Sequence, residues 1–82
     1  MRHIVIWKFV VRPEQVADFV RTYGPDGAWV RLFRRGDGYL STALLRDTTE
    51  PDTYITIDAW SSQEAYRAFR AKFAAEYEAI DR

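Results

Sequence analysis

The sequence predicts a single α+β domain of ferredoxin-like, split β-α-β design, with an antiparallel sheet carrying its helices on one face. Three observations predict it. Residues 3–11, HIVIWKFVV, and 53–60, TYITIDAW, are dense in β-branched and aromatic side chains, the composition of strands. Apolar residues at helical spacing follow each of these stretches. The elements then fall in the order strand, helix, short helix, strand, strand, helix, with the second and third strands placed to form a hairpin.

The first strand places Ile4, Ile6, Lys8 and Val10 on one face and His3, Val5, Trp7, Phe9 and Val11 on the other. It is apolar on both sides, which predicts cover on both sides. Pro13 suits a first helical position. Val16, Phe19, Val20 and Tyr23 continue at helical spacing, and Gly24 stops the helix. Asp26 is placed to cap the second helix, in which Trp29, Leu32 and Phe33 form an i, i+3, i+4 stripe expected to dock on Trp7 and Phe9. Arg31, Arg34 and Arg35 occupy the opposite side and read as a solvated face.

Gly36-Asp37-Gly38 is a turn signal. YLSTALLR, residues 39–46, reads as a strand, and DTTEPD is a polar connection. In TYITIDAW, Ile55, Ile57 and Ala59 alternate with Tyr54, Thr56, Asp58 and Trp60. Ser61 and Glu64 match a capping box opening the last helix. Tyr66, Phe69, Phe73, Tyr77 and Ile80 run along that helix as one stripe.

Eighty-two residues fit one domain, 1–82, which buries about 60% of the surface of its unfolded chain. Twelve basic residues balance twelve acidic ones, so no net field favours nucleic acid or an anionic membrane. No apolar run approaches the roughly 20 residues of a spanning helix, and the basic, apolar N-terminus lacks a small-residue cleavage site. Without cysteine there is neither a disulfide nor a thiolate metal site, and a cytoplasmic setting fits. No metal-ligand spacing, phosphate-binding glycine loop or nucleophile elbow is present. With all helices on one sheet face, the apolar second face calls for a second copy, packed sheet to sheet as a two-fold homodimer.

Three stretches carry a family resemblance: VIWKFVVRPEQVADF, YGPDGAWVRLFRRGDGYLSTALLRD and YITIDAWSSQEAYRAF. In the last, a strand ends in Trp60, a serine cap follows, and then Glu-Ala-aromatic. Over residues 3 to about 78 the chain resembles the antibiotic biosynthesis monooxygenase group of dimeric α+β-barrel proteins. The resemblance implies oxygenases that convert aromatic hydroquinones or anthrones to quinones with no cofactor, in a pocket between the helices and the sheet of each subunit. It implies that a phenol is deprotonated, its anion passes an electron to O2, and the radicals recombine. Two departures stand out. The family's fourth strand, after the last helix, has no counterpart before Ile80-Asp81-Arg82, so either the natural chain continues or three strands suffice. Haem-degrading relatives carry a histidine on the last helix, where this chain has Phe73.

On that reading Trp7, Trp29, Phe33, Tyr66, Phe69 and Phe73 furnish an aromatic pocket for a small aromatic molecule. Two residues stand as catalytic candidates. His3 is the lone histidine, the residue type used most for proton transfer. Asp58 shares a strand face with Thr56 and Trp60; it reads either as the partner of Arg46 on the neighbouring strand or as a desolvated base. Tyr66 and Tyr77 read as core residues whose hydroxyls can reach a phenolic ligand, and Tyr39 and Tyr54 as hairpin or interface residues. The rival to a cofactor-free monooxygenase is a non-catalytic binding or accessory protein on the same fold.

Overall fold

In the computed structural model, which describes residues 1–81, the centre of the sheet is its last strand in sequence. β1 (His3–Val10), β2 (Tyr39–Arg46) and β3 (Thr53–Trp60) form one antiparallel sheet in the order β1-β3-β2. Flanked on both edges, β3 buries Thr53, Thr56, Asp58, Ala59 and Trp60. Its alternation decides the layers. Thr56, Asp58 and Trp60 lie under the helices, opposite Trp7, Val5 and His3 of β1, while Ile55 and Ile57 share the outer face with Ile6 and Lys8. The ferredoxin-like α+β prediction agrees with this architecture, which has three strands among the described residues.

β2 contains a bulge. Tyr39 lies opposite Trp60 and Ser41 opposite Ala59, so Leu40 is one residue too many for the ladder. A bulge re-aims the side chains beyond it. Here it brings Tyr39 and Thr42, three residues apart, onto the same helix-side face, where regular alternation would put them on opposite faces.

Pro13–Gln15 form a 3-10 turn leading into α1 (Val16–Tyr23); α2 (Ala28–Phe33), α3 (Gln63–Lys72) and α4 (Ala74–Asp81) complete the helical layer. Three local expectations need correction. Asp26 does not cap α2. The N-cap is Gly27, without a side-chain cap, and a Cβ there would run into the Thr22 carbonyl. The cap of α3 is Ser62, whose Oγ accepts from the Ala65 amide at 3.0 Å. Ser61 instead is tied to the Gly36–Gly38 turn, its amide donating to the Gly38 carbonyl at 2.7 Å, so the box with Glu64 does not form. The last helix is two helices, broken at Phe73 (φ −111°, ψ 28°), and the break bends the aromatic stripe round the core.

That core is Trp29, Leu32, Phe33, Trp60, Phe69 and Phe73. Phe33 meets Trp60 and Phe69 edge-on, with ring centroids 5.7 and 5.5 Å apart, a geometry favoured by the ring quadrupoles. The α2 stripe was expected to dock on Trp7 and Phe9; it packs on Trp60 at the other end of the strands instead. Phe9 packs with Phe19 and Tyr23, and Trp7 is half exposed. The described residues leave the outer face uncovered in the single chain. Ile4, Ile6, Val10 and Leu45 are exposed there, and Lys8 reaches Glu50 at 2.9 Å.

Candidate active site

Between sheet and helices lies a cavity of about 280 Å³, near the lower end of the roughly 300–1,000 Å³ of small-molecule sites. Trp7 and Phe9 from β1, Thr42 from β2, and Thr56 and Asp58 from β3 form its floor. Tyr23, Trp29, Val30 and Phe33 wall it from α1 and α2. Arg70 from α3, with Tyr77 and Asp81 from α4, closes the remaining side. A second, more open depression of about 400 Å³ runs between α1 and the end of β1. Its one carboxylate, Asp18, is already held by Arg21.

Asp58 is 6% exposed. It sits directly across the ladder from Thr42, whose hydroxyl donates to Asp58 Oδ1 at 2.7 Å. Tyr39 Oη in turn donates to Thr42 Oγ1 at 2.7 Å. Among the described residues Thr42 is the one hydrogen-bond partner of the Asp58 carboxyl, at Oδ1, and Asp58 lines the cavity. Burial pushes the Asp58 carboxyl above the usual carboxylate range, and the Thr42 hydrogen bond pulls part of the way back. The expected ion pair with Arg46 does not form. Arg46 lies opposite Tyr54, four residues and about 13 Å along the strand from the Asp58 position.

Arg70 is an exposed residue whose guanidinium reaches back to the cavity. Nη1 donates to Tyr66 Oη at 3.1 Å, and the group lies 4.0 Å from the centroid of the Tyr77 ring, a cation–π arrangement. Burial raises the Tyr77 hydroxyl against the opposing charge of Arg70, so it stays a neutral donor at neutral pH. The indole N–H groups of Trp29 and Trp60 are buried with no hydrogen-bond partner among the described residues.

The described residues contain no group of three His, Cys, Asp or Glu side chains placed to hold a metal ion, and no helix long and apolar enough to cross a membrane. Residues 2–79 match the antibiotic biosynthesis monooxygenase family. The chain belongs to that family.

Two solved structures show the same fold as this monooxygenase-family chain. One is a conserved protein from Methanosarcina mazei Go1, with TM-score 0.61, 14% identity, and 98% of this chain and 76% of that one covered. The other is SnoaB, a cofactor-independent oxygenase from Streptomyces nogalater, with TM-score 0.54, 23% identity, and coverage of 98% and 74%. No curated protein matches the chain by sequence.

Set against the residues singled out from the sequence, the monooxygenase-family fold brings Asp58, Trp7, Trp29 and Phe33 together in the cavity. It leaves four others outside the walls. Tyr66, Phe69 and Phe73 pack in or against the core cluster behind them, and His3 meets the Tyr66 ring at a tilt with centroids 5.1 Å apart. Sequence reasoning missed Thr42, Tyr39, Thr56 and Arg70. The i, i+4 spacing of Arg70 with Tyr66, and its i, i+7 spacing with Tyr77, was the available signal for the last.

Proposed function

We propose that the protein is a cofactor-independent monooxygenase of small phenolic aromatics, with Asp58 as its general base. One observation carries the reading: a 6%-exposed carboxylate in the floor of an aromatic cavity, with one oxygen held by Thr42 and no hydrogen-bond partner for the other among the described residues. Family membership and the SnoaB-like fold support it.

A phenol of the hydroquinone or anthrone class enters between Trp7, Trp29 and Phe33, with its O–H toward Asp58 Oδ2. Oδ2 takes the proton. The aryloxide gives one electron to O2, and the aryl radical and superoxide combine to form a C–O bond. Protonated Asp58 returns its proton to the peroxide. The O–O bond then breaks as the carbon loses its hydrogen, giving a quinone carbonyl and water, so one O2 takes the phenol O–H and one ring C–H (together the CH2 of an anthrone tautomer) to a quinone. The protein orients the substrate, excludes water and holds the proton, and these functions strengthen in a dry site.

Two copies are proposed to pair through the outer sheet face. Ile6 is 63% and Val10 79% exposed in the single chain, and apolar strand residues this open mark an association surface.

The test is oxygen uptake by chelator-treated protein with a panel of anthrones and dihydroxynaphthalenes. Uptake above the spontaneous rate, falling about 10²-fold or more in Asp58→Asn, is the expected result for loss of a general base. His3→Ala, outside the cavity, is expected to retain uptake. Absence of uptake in the native protein, with ligand binding intact, would leave a binding protein on the family fold.

A further inference from the structure

We propose that Tyr39 is a positioning residue which, through Thr42, fixes the direction of the hydrogen-bond chain ending on Asp58 Oδ1, and so selects Oδ2 as the proton-accepting oxygen of the cavity. The proposal rests on the reading of Asp58 as the base.

The direction of the chain follows from hydrogen counting. An ionised carboxylate only accepts, and a threonine hydroxyl has one hydrogen to give. With Thr42 Oγ1 2.7 Å from Asp58 Oδ1, that hydrogen points at Asp58. Tyr39 Oη, 2.7 Å from the same Oγ1, must then be the donor. The consequence runs the other way as well. For a protonated Oδ1 to donate to Thr42, the Thr42 hydrogen has to leave Asp58, and while Tyr39 donates to the same oxygen that hydrogen cannot turn to the phenol. The phenol therefore makes Thr42 a committed donor. It favours the charged carboxylate and steers an incoming proton to Oδ2, which has no hydrogen-bond partner among the described residues.

The arrangement goes with the bulge: were Leu40 paired in a regular ladder, Tyr39 would stand three residues from Thr42 and on the opposite face. Tyr39 is held from the other side by ring contacts with Phe33 and Trp60 at 5.8 and 5.3 Å. Burial raises its hydroxyl, so it remains protonated through the neutral range.

Other charged or titratable groups facing the cavity are Tyr23 from α1, Arg70 from α3, and Tyr77 and Asp81 from α4. β1 and α2 bring only Trp7, Phe9, Trp29, Val30 and Phe33 to its walls. Arg34, at the C-terminal cap of α2, acts on Tyr39. None of the cavity groups forms a hydrogen bond or ion pair with Asp58 in place of Thr42.

The test needs no substrate. The carboxyl carbon of Asp58 is followed by NMR titration in protein labelled at aspartate, with assignment through Asp58→Asn. Thr42→Val is expected to raise the proton affinity of Asp58 about tenfold, the effect of losing one hydrogen bond to a charged acceptor. Tyr39→Phe, which keeps the ring packing, is expected to raise it by a smaller factor in the same direction, and Thr42→Ser to restore the native midpoint. The acid limb of the rate profile of Tyr39→Phe is expected to move with the titration. A Tyr39→Phe protein with native amide shifts and an unmoved Asp58 midpoint would overturn the proposal. Midpoints that move as stated in a protein lacking oxygen uptake would uphold the chain while the oxygenase reading falls.

Discussion

Asp58 is costly to the fold in the form that serves the chemistry. Its carboxyl is raised in the folded state, chiefly by burial, so the unfolded chain releases the proton more easily. Below the usual carboxylate range both states hold the proton, and no penalty exists. As pH rises through that range to the higher folded-state midpoint, stability is lost, and above it the loss is constant. Asp58→Asn, which keeps an oxygen for Thr42, is therefore expected to melt above the native protein at pH 7 and together with it in acid. Gly38 is the opposite kind of residue. At φ 88° a Cβ would meet Ser61 Oγ at 2.5 Å and Ala65 Cβ at 2.7 Å. Gly38→Ala is expected to cost about 1–3 kcal/mol in denaturant unfolding. Asp58 was legible in the sequence as a carboxylate sharing a strand face with Thr56 and Trp60, but its partner was not. A nearby arginine is the obvious complement by charge, and only the register reveals that a threonine stands directly opposite.

Strands were the most legible elements. β2 and β3 fall on the predicted residues, 39–46 and 53–60, because their composition and their bounding turns agree. Helix ends were less legible, since two consecutive serines offer two caps and the sequence pattern favours the wrong one. Ser62→Ala is expected to lower stability by about 1 kcal/mol, and Ser61→Ala by less than about 0.5 kcal/mol. Melting of the two single variants checks the pair. The break at Phe73 was invisible because the residues on either side keep helical spacing. The bulge at Leu40 was hidden for a different reason: YLSTALLR is apolar enough on both sides to satisfy either alternation, so the pattern leaves its register open. Deleting Leu40 leaves Tyr39 two positions before Thr42 in a regular ladder and on the same face, so the deletion is expected to keep the native Asp58 titration.

At the scale of the whole molecule, the helices and the outer face divide the labour of the sheet. One side encloses the cavity; the other exposes Ile4, Ile6, Val10 and Leu45. Light scattering at micromolar concentration is expected to give twice the chain mass, and Ile6→Lys with Val10→Lys to return the single chain, since charges at the centre of an apolar interface are strongly disfavoured. The two-sided apolar pattern of β1 made this face legible, whereas the position of the cavity depends on packing between distant elements and could not be read from one stretch. The tryptophans are distributed across these surroundings: Trp60 is 0%, Trp29 7% and Trp7 51% exposed. Trp7 lines the cavity and faces away from the outer sheet surface. Its emission is thus a built-in optical gauge, turning blue when an aromatic guest displaces water from the slot and keeping its colour when two chains meet on the opposite face.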